Sequence, residues 1–312
     1  MSRKVDPLTV ALLGGMFVAY AVGVASGDAW LCRIAALYGI ALSIYAGMFV
    51  LTGLAGMVSL GVSAVVGVGA YATAAGLVRA DLGTPASLLL GAVAGAVVSW
   101  LIAASTRSLA DHYLTLATLA ASEVLANVFR GWDSMTGGAS GFTGIPKPSL
   151  FGYALQSPAG YAPLCLALGG GVVLLVGYVR KTAFGFSLLA YREEGRRVEA
   201  IGLDSARLRR GAFLLAGACA GLAGGLGASI DGFVGPESFG VPQSIAVLCF
   251  FVLGSERGIG GIFISAALST VLTEALRQLG EWQNIGVGTI ALALLAIRAR
   301  KVSFPCLAVG AG

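Results

Sequence analysis

Apolar residues run in long blocks along most of this chain, and polar residues are confined to the stretches between them. A block of about 20 apolar residues can cross a bilayer as a helix. The pattern predicts ten such spans: 8–25, 31–52, 57–78, 85–105, 110–130, 161–179, 211–231, 242–257, 259–279 and 284–299. Gly and Ser interrupt the third, eighth and ninth, so their ends are expected to be irregular. No block alternates as an outer-membrane barrel strand would. The expected fold is therefore an all-α integral membrane protein of about ten transmembrane helices, forming one domain over 1–312. The run from Leu8 to Ala25 follows Arg3 and Lys4 and is long for a signal sequence, so it is expected to be an uncleaved span.

Two polar stretches break the pattern most clearly. Segment 131–160 reads GWDSMTGGASGFTGIPKPSLFGYALQSPAG, rich in Gly, Ser and Pro, and is expected to be a loop with little helix. Segment 180–210 reads RKTAFGFSLLAYREEGRRVEAIGLDSARLRR. Its apolar residues recur at near-helical spacing, which predicts an internal helix followed by Gly202. Ser205 is expected to cap the helix entering the next span.

Charge then orients the spans. Arg3 and Lys4, the cluster in 180–210, and Arg298, Arg300 and Lys301 all fall on one side if six spans precede the cluster and four follow it. Positive residues favour the cytoplasm. Both chain ends are therefore expected there, with 131–160 and 231–241 on the periplasmic side of a bacterial inner membrane.

Composition agrees with the pattern. The chain is 57% hydrophobic and 11% charged, with mean hydropathy +0.88, whereas soluble domains carry about 25% charged residues. The 47 glycines suit close helix packing in lipid. Gly217, Gly221 and Gly225, and also Gly91 and Gly95, have the four-residue spacing of packing seams. The net charge of +5 sits at span ends without interleaved aromatics, so no nucleic-acid partner is expected.

Cys32, Cys165, Cys219, Cys249 and Cys306 form no CxxC pair, and His112 is the only histidine, which leaves a zinc or iron–sulfur site without ligands. A P-loop is missing, since the one lysine followed by Ser or Thr, Lys181, is preceded by Arg180 where Gly is needed. The chain is therefore expected to bind no cofactor and to be no enzyme. Within the spans Glu123 stands out, because a carboxylate deep in a bilayer needs protein or water beside it. It is either a path or gating residue or a helix-end residue paired with Arg130 or an amide. Glu274 and Arg277, three residues apart, are expected to form a local ion pair.

Five segments, in order, resemble the permeases of the branched-chain amino-acid ABC importer family. GLAGMVSLGVSAVVGVGAYATA, from Gly53 to Ala74, is similar to its G-x-x-S-L-G…G-x-G-A-Y segment. DHYLTLATLAASEVL, from Asp111 to Leu125, and GWDSMTGGASGFTGIP, from Gly131 to Pro146, resemble two more. AYREEGRRVEAIGLD, from Ala190 to Asp204, is similar to the coupling segment, and FVGPESF, from Phe233 to Phe239, to an external turn. Met57 and Val62 stand where the family often has polar residues, and GSERGIGG, Gly254 to Gly261, carries Glu256 and Arg257, so the solute is open among branched-chain amino acids, urea, amides and aromatic acids.

The resemblance implies a cobalamin-importer-like (type II) bundle with broken pore helices. It implies a second homologous permease, two ABC ATPase subunits and a periplasmic substrate-binding protein as partners, with ATP and Mg in the ATPase. Arg192, Glu193, Glu194, Arg196, Arg197, Glu199 and Gly202 would then couple to the ATPase. Ser59, Tyr71, Tyr113, Thr115, Thr118 and Glu123 would line the path. Gly137, Gly138, Gly141, Pro236 and Glu237 would face the binding protein. The alternative is an ion-coupled secondary transporter using Glu123.

Overall fold

A computed structural model describes residues 28–107, 109, 111–150, 153–254 and 258–277, with isolated positions at 20, 21, 24, 286, 288 and 289. The expected first and last spans, 8–25 and 284–299, and Cys306 lie almost wholly outside these residues. The helices are α1 (Ala29–Met48), α2 (Val62–Val78), α3 (Thr84–Ser105), α4 (Asp111–Gly131), α5 (Pro158–Val179), α6 (Ala183–Glu194), α7 (Ser205–Asp231), α8 (Val241–Gly254) and α9 (Gly260–Ala275). α1 continues as a π-helix over Phe49–Leu54. Each of the eight expected spans between 31 and 279 coincides with one of them, and α6 is the helix expected within 180–210.

Local chemistry starts several of these helices. Asp28 accepts from the Trp30 amide at 3.0 Å. Ser157 caps α5, with Pro158 in its first turn. Tertiary packing then sorts centre from edge. The most apolar window of α1 with its π-turn is 89% buried, against 28% for α5, so α1 forms the middle of the bundle and α5 its rim.

The glycine seams are where the backbones meet. A Cβ on Gly221 of α7 would strike the backbone of Gly91 and Ala92 on α3, and one on Gly69 of α2 would strike Gly221. Gly95 faces Gly217 in the same way, and Gly39 of α1 faces Gly169 of α5. Without a hydrophobic drive between helices in lipid, such close van der Waals contact is the main source of association.

The bundle has two distinct ends, separated by the 27 residues of α7, about 40 Å at 1.5 Å per residue. At one end, the 141–147 stretch packs on 230–234. Strand β1 (Phe142–Thr143) pairs antiparallel with β4 (Phe233–Val234), and β2 (Ser149–Leu150) with β3 (Tyr153–Ala154). The two segments expected on a common side are thus joined directly. The first loop carries a helical turn at Asp133–Thr136 and a 3-10 turn at Gly138–Ser140. Arg33 and Asp231 form an ion pair there at 3.3 Å. At the other end lie α6, the 3-10 helix Gly195–Ile201 and the turn after α3.

One expected span is broken. The apolar block 57–78 becomes helical only at Val62, and Ala55–Gly61 crosses as irregular chain. α8 begins at Val241, where a span was expected, directly after the 3-10 turn Pro236–Phe239. The two helix starts meet. The Ser63 amide donates to Ser244 Oγ at 3.2 Å, and Ser63 Oγ donates to the carbonyls of Phe239 at 3.2 Å and Gly240 at 3.0 Å. Ser63 lies fifteen residues from the far end of α2, about 22 Å along the helix, so this junction is deep in the bundle.

Candidate transport path and coupling surface

Irregular backbone at membrane depth must have its hydrogen bonds met from within the protein. In the Ala55–Gly61 crossing several are. The Met57 amide donates to the Leu51 carbonyl at 2.9 Å, and Thr52 Oγ1 donates to the Met57 carbonyl at 3.1 Å. From α4, Thr115 Oγ1 donates to the Val58 carbonyl at 3.1 Å and Thr118 Oγ1 accepts from the Leu60 amide at 3.0 Å. Ser59 Oγ accepts from the Gly61 amide at 3.3 Å. Ser59, Thr115 and Thr118, expected along a path, are thus engaged in holding the crossing. Ser59 and Thr118 are buried.

The turn before α8 is held by aromatic packing. Tyr71 and Phe129 have ring centroids 4.8 Å apart, and Phe239 lies 6.2 and 6.4 Å from them. The Tyr71 hydroxyl reaches the Val234 carbonyl at 3.5 Å. Tyr71 is buried in this cluster.

Of the six expected path residues, Tyr113 and Glu123 remain open. They share the exposed face of α4 with Leu116, Ala120, Asn127 and Arg130. Arg130 donates to Asn127 Oδ1 at 3.5 Å, and Asn127 donates to the Glu123 backbone carbonyl at 2.9 Å. The structure therefore does not pair Glu123 with Arg130. A face carrying a carboxylate, an amide and a guanidinium is poorly matched to lipid.

The glycines of the 131–160 loop serve its own geometry. Gly137, Gly138 and Gly141 have φ of 76°, 62° and 74°, a region that a side chain rarely adopts. A Cβ on Gly141 would also lie 2.6 Å from the Val234 carbonyl, so the bare backbone lets β1 reach β4. Pro236 is buried, whereas Glu237 is exposed.

At the opposite end, the charged segment packs Leu188, Tyr191 and Val198 into the core beneath its charged surface. α6 ends at Gly195, φ 56°, and the 3-10 helix ends at Gly202, φ 84°. Glu193, Glu194, Arg197 and Glu199 are exposed, and Arg196 sits within the 3-10 helix. Arg197 and Glu194 approach only to 4.0 Å. Ile201 is 72% exposed, an apolar side chain beside charged ones. Arg192 differs from its neighbours, because it turns back and donates to the Gly53 carbonyl at 2.7 Å.

The cap of α7 is Asp204, not the expected Ser205. Asp204 Oδ1 accepts from the Arg207 amide at 3.0 Å, while the Ser205 hydroxyl is held by the Glu199 carboxylate. Asp204→Ala should cost about 1 kcal/mol, read as a small drop in thermal midpoint in detergent. Ser205→Ala should lower it less.

Sequence reasoning placed Arg209 among loop charges. It is 3% exposed, donating to the carbonyls of Thr106 at 2.8 Å and Leu109 at 3.1 Å and to the Tyr191 hydroxyl at 3.1 Å. Its distinguishing signal was slight, a position one helical turn into α7 with apolar Leu208 before it. The expected Glu274–Arg277 pair forms at 3.1 Å.

An all-helical apolar bundle with a broken span, a polar face on one helix and a charged surface at one end is consistent with a membrane permease. The chain belongs to the family of branched-chain amino acid transport system permease components, whose profile matches residues 29–297. It is 28% identical to the high-affinity branched-chain amino acid transport system permease protein LivM of Salmonella typhimurium strain LT2 and 27% identical to that of Escherichia coli K12. Each match covers 81% of this chain and 65% of the relative, so the chain spans about two-thirds of the length of these curated relatives. No solved structure matches significantly.

Proposed function

We propose that this chain is the membrane-spanning permease subunit of an ATP-driven ABC importer. It would form half of a pore for branched-chain amino acids or a related small polar solute, which a periplasmic binding protein delivers. A second homologous permease and two ATPase subunits, the latter holding ATP and Mg, would complete the complex. The observation that carries the reading is the 183–204 segment, a core-packed helix and 3-10 turn with a charged outer face, tied by Arg192 to the start of a broken span. Such a segment can receive motion at the cytoplasmic face and pass it inward. The α4 face with Tyr113, Glu123 and Arg130 supports a pore or a second permease beside it, since a polar face in a bilayer needs protein or water. The loops at the β1–β4 end would then meet the binding protein.

Copurification with ATPase subunits and a second permease, followed by ATP-driven uptake in proteoliposomes, tests the reading. Replacing Glu193, Glu194 and Gly202 together should leave ATP hydrolysis but remove most uptake. Unchanged uptake in that variant would count against the coupling role. Uptake driven by a proton gradient with this chain alone would favour a secondary transporter and overturn the proposal.

A further inference from the structure

We infer that Arg192, Thr115 and Thr118 are positioning residues for the Ala55–Gly61 crossing, and that this crossing is the piece of pore wall that the 183–204 segment moves. The inference rests on the transport reading above.

The crossing is suspended between two supports. At its start Arg192 grips it. The guanidinium donates to the Gly53 carbonyl, one of the carbonyls left without a helical partner as the π-helix ends. A cation there also meets the negative end of the helix dipole. The stem of the same side chain packs on Gly56, where φ is +71° and a Cβ would lie 2.8 Å from Arg192 Cγ. The bare turn therefore admits the arginine stem. At its far end Thr115 and Thr118 of α4 hold the Val58 carbonyl and the Leu60 amide.

The two supports converge on the same stretch of α6. Tyr191, the neighbour of Arg192, accepts from Arg209, which also binds the Thr106 and Leu109 carbonyls just before α4. A shift of α6 thus acts on the start of the crossing through Arg192 and on the approach to α4 through Tyr191 and Arg209. A small cavity, about one water in size, lies behind the crossing, lined by Leu51, Ser59, Gly61, Val62, Ile102 and Phe213.

A static brace would have the same contacts, so the test must read coupling. The complex of permeases, ATPases and binding protein is reconstituted in proteoliposomes, and uptake per ATP hydrolysed is compared at equal amounts of assembled complex. Arg192→Ala and Thr118→Val should each lower that ratio about tenfold, since each removes one support of a coupled element. The double variant should fall no further than the worse single one, the signature of interacting positions. Arg192→Lys and Thr118→Ser, which keep a donor and a hydroxyl, should restore most of it.

A second readout does not depend on uptake. In a Val58→Cys chain, thiol labelling should change on adding ATP, and that change should vanish when Arg192→Ala is added. An unchanged ratio in Arg192→Ala, additive losses in the double variant, or nucleotide-independent labelling of Val58→Cys would each overturn the inference. If the unaltered complex shows no ATP-driven uptake, the transport reading has failed instead.

Discussion

Gly221→Leu should abolish recovery of folded permease. Gly221 sits where α2, α3 and α7 converge. Its missing side chain leaves room for the Gly91 carbonyl on one side, while Gly69 needs the same gap on the other. The atoms a new Cβ would meet are backbone, so no rotamer change relieves the clash. The helices would have to separate, losing contact along a seam that also pairs Gly95 with Gly217. Overpacking at one site costs about 1–3 kcal/mol, and parting three helices adds to that. The total is a large share of a stability of about 5–15 kcal/mol. Size-exclusion of detergent extracts should show aggregate in place of a symmetric peak. Gly227→Leu is the control on the same helix, because nothing lies within 4 Å of its Cβ position. A normal profile for Gly221→Leu would refute the seam.

Arg209→Met should be the second most damaging change. The arginine is almost fully enclosed, and its fork supplies three acceptors on two other elements. Methionine keeps much of the volume but leaves the Thr106 and Leu109 carbonyls without that donor. The Thr106 carbonyl keeps its bond from the Leu109 amide, but the buried Tyr191 hydroxyl loses its charged partner, and a hydrogen bond to a charged group is worth about 1.5–3 kcal/mol. The expected outcome is a clear drop in thermal midpoint together with faster proteolysis near the 106–109 turn. Arg209→Lys should recover only part, since one ammonium cannot span the positions reached by a planar fork. Two residues away, Arg207→Ala should matter little. Its pair with Asp204 at 3.0 Å is exposed, and such pairs are worth about 0–1 kcal/mol. Equal effects at 207 and 209 would contradict the buried role.

These two residues show how unevenly the chain could be read. The Gly217–Gly221–Gly225 stripe was legible because a four-residue period places its members on one helix face. Arg209 was not, because three arginines within four positions, 207, 209 and 210, look alike in sequence. Only the turn after α3, a hundred residues earlier, distinguishes the middle one. The α7 cap failed by one position for a similar reason. Asp204 and Ser205 are both good caps, and the choice fell to Asp204 while Glu199 holds the Ser205 hydroxyl.

The broken crossing was only half visible. Glycines and serines from 53 to 61 marked an irregular boundary, and the resemblance implied broken helices. Where the helix stops, and what replaces its hydrogen bonds, depends on Thr115 and Thr118, some 57 residues further along. Those two threonines, expected to line a path, hydrogen-bond the crossing. Glu123 shows the reverse. Its carboxylate was noticed in sequence, but only packing placed it on an open face beside Tyr113 and Arg130 rather than in a pair.

By itself the sequence determined the membrane class, the approximate helices between 31 and 279, the position of the charged segment and the family. Each depends on composition or on residues close together, where hydrophobic burial and local motifs act directly. The tertiary structure decided which spans break, which arginine is buried and which polar residues remain open. Those outcomes follow from hydrogen-bond partners and backbone contacts far apart in the chain, and no local pattern encodes such a pairing.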